Sequence, residues 1–173
     1  MTTSAEEATE RLLLRVPRLV DAEVLHTIFG DRDAMRYTFH LASLRECRRH
    51  IAGHQCQRRK RGYGPWTVVE RASGAIVGFG GLLDDPFDPG RGIEIAYHFA
   101  PAVWGRGYAS ELTRHCVGFA ASVLRVPELK AFAHPENVAS QRVLEKSGFT
   151  RRGFVSEMNR ILYGQSLSCR DPA

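Results

Sequence analysis

An α+β domain with a mixed sheet is the fold class that this sequence predicts. The order of periodic segments says so first: a strand, helices, a hairpin, then strand, loop, helix, strand, helix and strand. The length of 173 residues is second, because one hydrophobic core spans roughly 100–200 residues. The balance of 43% hydrophobic and 25% charged residues is third; it is that of a globular chain and excludes disorder along the whole length.

Leu12-Leu13-Leu14-Arg15-Val16, closed by Pro17, reads as the first strand. Leu19, Val20, Val24, Leu25 and Ile28 recur at helical spacing from Arg18 to Phe29, and Gly30 ends that segment. Ser43 and Glu46 form a capping box, a hydroxyl with a carboxylate three residues on. The helix they open ends near Gly62 or Gly64 and lies on the surface, since its apolar stripe is only Leu44, Cys47 and Ile51. Trp66–Val69 and Ala75–Phe79 flank the turn Ala72-Ser73-Gly74 and read as a hairpin. Asp84 to Gly92 is a Pro/Gly/Asp loop. Ile93 to Phe99 alternates, with Ile93, Ile95, Tyr97 and Phe99 on one face and Glu94, Ala96 and His98 on the other. A long helix after Tyr108 carries Leu112, Cys116, Phe119, Ala120 and Val123 at helical spacing. Leu129–Ala133 is a strand. Asn137 caps a helix through Lys146, which Gly148 stops, and Arg151–Tyr163 supplies the final strands.

Composition narrows the function classes. No apolar run reaches the roughly 20 residues of a membrane-spanning helix. Residues 1–10 are polar and acidic, which is not a secretory signal, and read as a frayed leader. The four cysteines, Cys47, Cys56, Cys116 and Cys169, form no CxxC pair, which points to reduced thiols and the cytoplasm. Much of the net charge of +5 sits in Arg58-Arg59-Lys60-Arg61. Basic side chains suit a helix C-terminus, and no aromatic-interleaved RNA-binding signature accompanies them. Nucleic acid is therefore not expected as a partner. Cys47, His50, His54 and Cys56 invite a metal reading, but Cys56 lies well round the helix from His54 and spacing fixes no fourth ligand, so no metal is expected.

Gly105, Gly107 and Ala109 place small residues at alternate positions between a strand and a long helix. Glycine allows unusual backbone angles and close approach of a ligand. The first helical turn adds unpaired N–H groups and positive potential, a cradle for phosphate. Arg106 supplies a charge there. A tight turn before a helix would look the same, so the loop alone does not decide. A Walker loop is excluded because no Gly-Lys-Ser/Thr triplet is present. A dinucleotide fingerprint is excluded because residue 110 is Ser and the loop comes late.

Two spaced motifs decide more. Glu94-Ile95-Ala96-Tyr97 through Trp104-Gly105-Arg106-Gly107-Tyr108-Ala109-Ser110-Glu111 resembles the acetyl-CoA motif of the GNAT superfamily, and more narrowly the RimJ/RimL-type ribosomal-protein alanine N-acetyltransferases. Asn137-x-x-Ser140-x-x-Val143-Leu144-Glu145-Lys146-x-Gly148-Phe149 resembles the second hallmark of that branch. Leu12-x-Leu14-Arg15 with Asp21, and Gly78-x-Gly80-Gly81, also fit. The resemblance runs from about residue 11 to 163 and implies a single domain over 11–165, between the leader and a short polar tail, 166–173. It implies a bent, mostly antiparallel mixed sheet flanked by helices and split between its fourth and fifth strands. It implies acetyl-CoA as cosubstrate, its pyrophosphate on the amides of Gly105, Arg106, Gly107, Tyr108 and Ala109. The pantetheine would pair with the backbone of Tyr97, His98 and Phe99, and Asn137 would contact the cofactor arm. This sequence departs from the family at Trp104, where Gln or Arg is frequent, and at Ala96, where glycine is usual.

Acetyl transfer to an amine needs a neutral nucleophile, a polarised carbonyl and a proton for the leaving sulfur. Glu94 is the first candidate base; a salt-bridged strand residue is the alternative. His98 is the second, against a histidine packed in the interior, and His134 is a third. The resemblance implies Ser140 near the sulfur as proton donor; a plain helix-surface hydroxyl is the alternative. A covalent cysteine route is disfavoured because Cys116 lies on the apolar stripe. Tyr37, Phe39, Tyr63 and Trp66 are candidates for the acceptor pocket, or for core packing. The expected enzyme acetylates a primary amine, first a protein or peptide N-terminus and otherwise a polyamine, amino acid or antibiotic. A non-catalytic acyl-CoA-binding module is the competing class. A monomer and a homodimer both fit.

Overall fold

The computed structural model describes residues 6–84, 90 and 92–167. Cys169, most of the expected polar tail and all but the edges of the expected 84–92 loop lie outside the described residues. The chain forms two compact units, one of Met1–Gly81 with Tyr97–Ala109 and one of Leu82–Ala96 with Ser110–Ala173.

The first unit begins with β1 (Glu6–Ala8) and β2 (Leu12–Arg15), paired antiparallel through Glu6↔Arg15 and Ala8↔Leu13. Residues 6–8 therefore belong to the sheet, not to a frayed leader. The bend between them is closed by Thr9, whose N–H donates to the Leu12 carbonyl and whose hydroxyl accepts the Leu12 N–H. A 3-10 turn, Leu19–Asp21, leads into α1 (Ala22–Phe29). The stripe expected here is only half right. Leu19, Val20 and Val24 are exposed, Val20 by 72%, while Ala22, Leu25, Ile28 and Phe29 are buried. The 3-10 turn changes the angular step between residues, so a stripe counted from Leu19 at 3.6 per turn falls out of phase.

Helix α2 (Leu44–Arg61) is capped as its sequence requires: the Ser43 hydroxyl accepts the Glu46 N–H at 3.2 Å. The Glu46 carboxylate returns to the Ala42 N–H at 2.7 Å. Gly62 closes the helix in the left-handed region. Strands β3 (Pro65–Glu70) and β4 (Ile76–Asp84) form the expected hairpin, with a register shift between Val68 and Val69. Next to β4 comes β5 (Ile93–Phe99). The strand order in this half is β1-β2-β3-β4-β5. At Gly78 a Cβ would come within 2.7 Å of the His98 carbonyl and 2.6 Å of the Phe99 ring, so β4 and β5 approach here only because residue 78 is glycine. The core joins Ala22, Leu25, Ile28 and Phe29 to Met35, Cys47, Ile51 and Phe79.

In the second unit the order is β5-β6-β8-β7. These are β6 (Glu128–Ala133), β7 (Thr150–Val155) and β8 (Arg160–Ser166). β5 and β6 pair in parallel over only Glu94↔Lys130 and Ile95↔Ala131, while β6–β8 and β7–β8 are antiparallel. Because β1 adds a strand at the front, β5 and β6 are the fourth and fifth strands of the expectation. Helix α3 (Tyr108–Phe119) ends in a π turn, Ala120–Leu124. Leu112, Cys116, Phe119 and Ala120 are buried as expected; Val123 is exposed, since the π turn rotates it off the stripe. Helix α4 (Val138–Lys146) follows β6. The last strand runs to Ser166, beyond the Tyr163 at which the sequence reading closed it, because β8 has neighbours on both sides. The architecture is a mixed α/β fold on a mostly antiparallel sheet.

Candidate active site

The glycine loop joins β5 to α3. Phe99 ends β5, and a 3-10 turn, Pro101–Val103, follows. Trp104 then donates its indole N–H to the Phe99 carbonyl at 2.8 Å, while the side chain stays 54% exposed. Gly105 and Gly107 both have positive φ, +76° and +82°. A Cβ at Gly105 would meet nothing within 4 Å and one at Gly107 only Arg11, so backbone angle, not space, requires glycine at both. The chain enters α3 directly afterwards, leaving the first-turn N–H groups of that helix beside the loop. This backbone fits a phosphate-bearing cofactor.

The loop side chains have partners that the sequence reading did not foresee. Arg106 pairs with Glu70 at 3.4 Å, and Tyr108, which is buried, donates its hydroxyl to the same Glu70 oxygen at 2.5 Å. Arg11 donates to the Arg106 carbonyl at 2.9 Å. No local motif links residues 11 and 70 to residues 106–108; the pairing of β2 with β3 sets residue 11 beside Glu70, and the strand order β3-β4-β5 returns the loop to the same sheet.

His98 is half-buried among aromatic rings. Its centroid lies 5.7 Å from Phe29 and 5.2 Å from Phe39. Phe39 also lies 5.0 Å from His50, whose ring stands 4.5 Å from His54. Burial, with a smaller push from His54, lowers the His98 pKa to about 4. Burial and the neighbouring His54 and His98 lower that of His50 to about 3, and burial lowers that of His54 as well. All three are neutral at pH 7. A groove of 440 Å³ runs along α2, lined by Leu41, Glu46, Arg49, His50, Gly53, His54 and Gln57. The structure thus joins two candidates, Phe39 and His98, and adds His50 and His54. Their i, i+4 spacing was visible in the sequence; their neighbours Phe29 and Phe79 were not.

The other acceptor-side candidates show different contacts. The Tyr37 ring carries Arg36 over its face at 4.5 Å. Tyr63 is buried. Trp66 is 1% exposed, with the Arg58 guanidinium 5.1 Å above its ring, so in the free protein it is a packing element. Arg58 also donates to the Gly64 and Pro65 carbonyls, and burial lowers its pKa to about 10. The first member of the basic run is therefore a helix-end brace.

Glu94, Asn137 and Ser140 belong to the second unit. Glu94 is 8% exposed and registers with Lys130. The Asn137 side-chain oxygen accepts the Ser140 N–H at 3.1 Å, which caps α4 and fixes where the Ser140 hydroxyl starts. The His134 ring nitrogens face the Glu136 N–H at 3.2 Å and the Asn159 amide at 3.1 Å. Cys116 is fully buried, and burial pushes its thiol pKa well up, which removes the thiolate a covalent route needs. Among the described residues no group of three or more His, Cys, Asp or Glu is arranged to hold a metal ion. No described helix is long and apolar enough to cross a membrane.

A family profile described as an acetyltransferase (GNAT) domain matches residues 11–150. The chain belongs to the GNAT acetyltransferase family. The protein YkkB of Bacillus subtilis (strain 168) is 29% identical to this acetyltransferase over 163 residues, 92% of this chain and 94% of that one. Among solved structures, RimL, a ribosomal L7/L12 α-N-protein acetyltransferase in complex with coenzyme A, superposes with a TM-score of 0.78 at 17% identity, covering 94% of this chain and 98% of that one. Spermidine N-acetyltransferase from Vibrio cholerae, in complex with CoA and spermine, superposes at 0.71 with 18% identity, covering 90% and 94%. At these identities the structural matches are matches of fold. The family uses acetyl-CoA, and the glycine loop of this acetyltransferase fits it.

Proposed function

We propose that this acetyltransferase transfers the acetyl group of acetyl-CoA to the α-amine of a protein or peptide N-terminus, in a ternary complex. The observation that carries the cofactor half is the loop with two positive-φ glycines running straight into α3. Gly105, Arg106, Gly107, Tyr108 and Ala109 would hold the phosphates, the backbone of Tyr97, His98 and Phe99 would take the pantetheine arm, and Asn137 and Ser140 are assigned to the cofactor as well. When bound, acetyl-CoA supplies the activated thioester.

The acceptor half rests on the Phe39, His50, His54 and His98 cluster, and we assign Tyr37 to the same pocket. Three neutral imidazoles and aromatic faces, beside a groove along α2, suit a peptide end that carries one amine better than a polycation. Glu94 accepts the proton of the acceptor ammonium, directly or through water. His98, the second candidate, is held neutral by burial and serves the amine as a hydrogen-bond acceptor rather than as the base. The Ser140 hydroxyl holds a proton for the leaving sulfur. Reduced, buried Cys47 and Cys116 accord with a cytoplasmic enzyme.

The test is CoASH release from acetyl-CoA with N-terminal peptides, polyamines and aminoglycosides. Peptide-dependent release that falls about 100-fold in Glu94→Gln, with the fold and CoA binding intact, is expected for a lost general base. Release with polyamines alone would move the acceptor to small amines. CoA binding without release on any acceptor would make the chain a binding module.

A further inference from the structure

The glycine loop is held by a residue two strands away from it in sequence. Glu70, the last residue of β3, takes the Tyr108 hydroxyl at 2.5 Å and the Arg106 guanidinium at 3.4 Å on one oxygen. Its other oxygen accepts the Ser73 hydroxyl at 2.6 Å. The Ser73 and Tyr108 hydroxyls, with the Arg106 charge, hold the Glu70 carboxyl below its ordinary range against a smaller opposing effect of burial. Tyr108 is thus the proton donor and Glu70 the ionised acceptor. Arg11 completes the frame: one nitrogen donates to the Arg106 carbonyl at 2.9 Å, and its guanidinium lies 4.9 Å from the centre of the Tyr108 ring. The loop is therefore fastened at a main-chain carbonyl, at a charged side chain and at the first residue of α3.

Two consequences of a carboxylate in this place oppose each other. It orders the loop through Tyr108, and it sets a negative charge beside a phosphate cradle. The Arg106 pair is solvent-exposed on the arginine side, and such pairs contribute little. The phenol–carboxylate bond is charge-assisted and belongs to a buried tyrosine, which makes it the stronger tie. Ordering before binding removes a cost that the cofactor would otherwise bear. We propose that Glu70 and Arg11 are positioning residues of this acetyltransferase: through Tyr108 and the Arg106 carbonyl they preset the backbone of residues 105–108 for the cofactor phosphates. This rests on the reading of the loop as the cofactor cradle.

Calorimetric titration with CoA, together with initial rates against acetyl-CoA, tests it. Glu70→Ala and Tyr108→Phe are expected to weaken CoA binding about fivefold or more. Glu70→Ala raises KM for acetyl-CoA by a similar factor while kcat falls less than twofold. Glu70→Gln keeps an acceptor for Tyr108 and stays within about twofold of wild type, which a general loss of packing would not allow. Should Glu70→Ala not fold, Tyr108→Phe carries the same comparison. Wild-type affinity in both Glu70→Ala and Tyr108→Phe overturns the proposal. So does tighter binding in both Glu70→Ala and Glu70→Gln, which would make Glu70 a charge competitor. A wild-type protein that binds no CoA would instead remove the cradle reading itself, and this inference with it.

Discussion

Asp21 carries a carboxylate into the interior of the first unit, at 3% exposure. Arg15 meets it with both terminal nitrogens, at 2.7 and 2.8 Å; the Arg18 N–H adds 2.8 Å and the Thr67 hydroxyl 3.0 Å. Burial by itself would raise the Asp21 pKa, but the Arg15 fork, the Arg18 amide and the Thr67 hydroxyl together outweigh it and lower the value. A lowered carboxyl pKa contributes stability above the unfolded value, near 3.9, that is lost as pH falls through the folded one. Asp21→Asn leaves Arg15 half-buried without its counter-charge, and should cost about 3 kcal/mol in urea unfolding. A loss under 1 kcal/mol would show that the pair contributes little beyond its own desolvation. Arg15 and Asp21 stood in the sequence as part of a family pattern; that they form one buried ion pair with Thr67 did not. The same holds for Glu70, an ordinary strand-end glutamate until β3 is placed beside β2.

Helix α4 shows how an element can be read from its sequence and still hide its purpose. Asn137 as N-cap and the stop at Gly148 follow from residue types alone. Whether Asn137 serves only the helix, or the cofactor also, is separable by substitution. Asn137→Ala removes the oxygen that accepts the Ser140 N–H and should destabilise by about 1 kcal/mol. Asn137→Asp keeps that oxygen, since aspartate caps as well as asparagine, but replaces the amide NH₂ with a negative charge. It should unfold like wild type in a thermal melt yet bind CoA about fivefold more weakly in titration. Unchanged CoA affinity in the aspartate variant would confine Asn137 to capping. Helix α2 was equally readable from Ser43 to Gly62, yet the groove beside it and the contact of His50 with Phe39 depend on where Leu41 and Phe39 return.

For the whole molecule, the buried histidines couple stability to pH. His50 and His98 have folded pKa values lowered to about 3 and about 4, against roughly 6.5 in an unfolded chain. The unfolded chain therefore binds protons that the folded one refuses. Stability is complete above about pH 6.5 and declines as pH falls toward the folded values, by up to about 1.4 kcal/mol per pH unit for each histidine. Between pH 6.5 and 5, where most carboxylates stay ionised, the urea midpoint should drop, and replacing both His50 and His98 by Phe should flatten that dependence. A wild-type midpoint that does not move across this window would contradict the burial of these rings.

Sequence alone determined the order of strands and helices, both helix caps, the glycine loop and the family, because each rests on local backbone preference or on short motifs of fixed spacing. Tertiary structure decided the rest. It made residues 6–8 a strand, since a three-residue strand exists only through the partner that pairs with it. It turned Leu19, Val20, Val24 and Val123 outward, since 3-10 and π turns break the period from which their burial was read. It gathered Arg11, Glu70, Arg106 and Tyr108 at one loop and His50 and His98 around Phe39, because contacts between residues far apart in the chain are set by sheet register and helix packing, which no local pattern encodes.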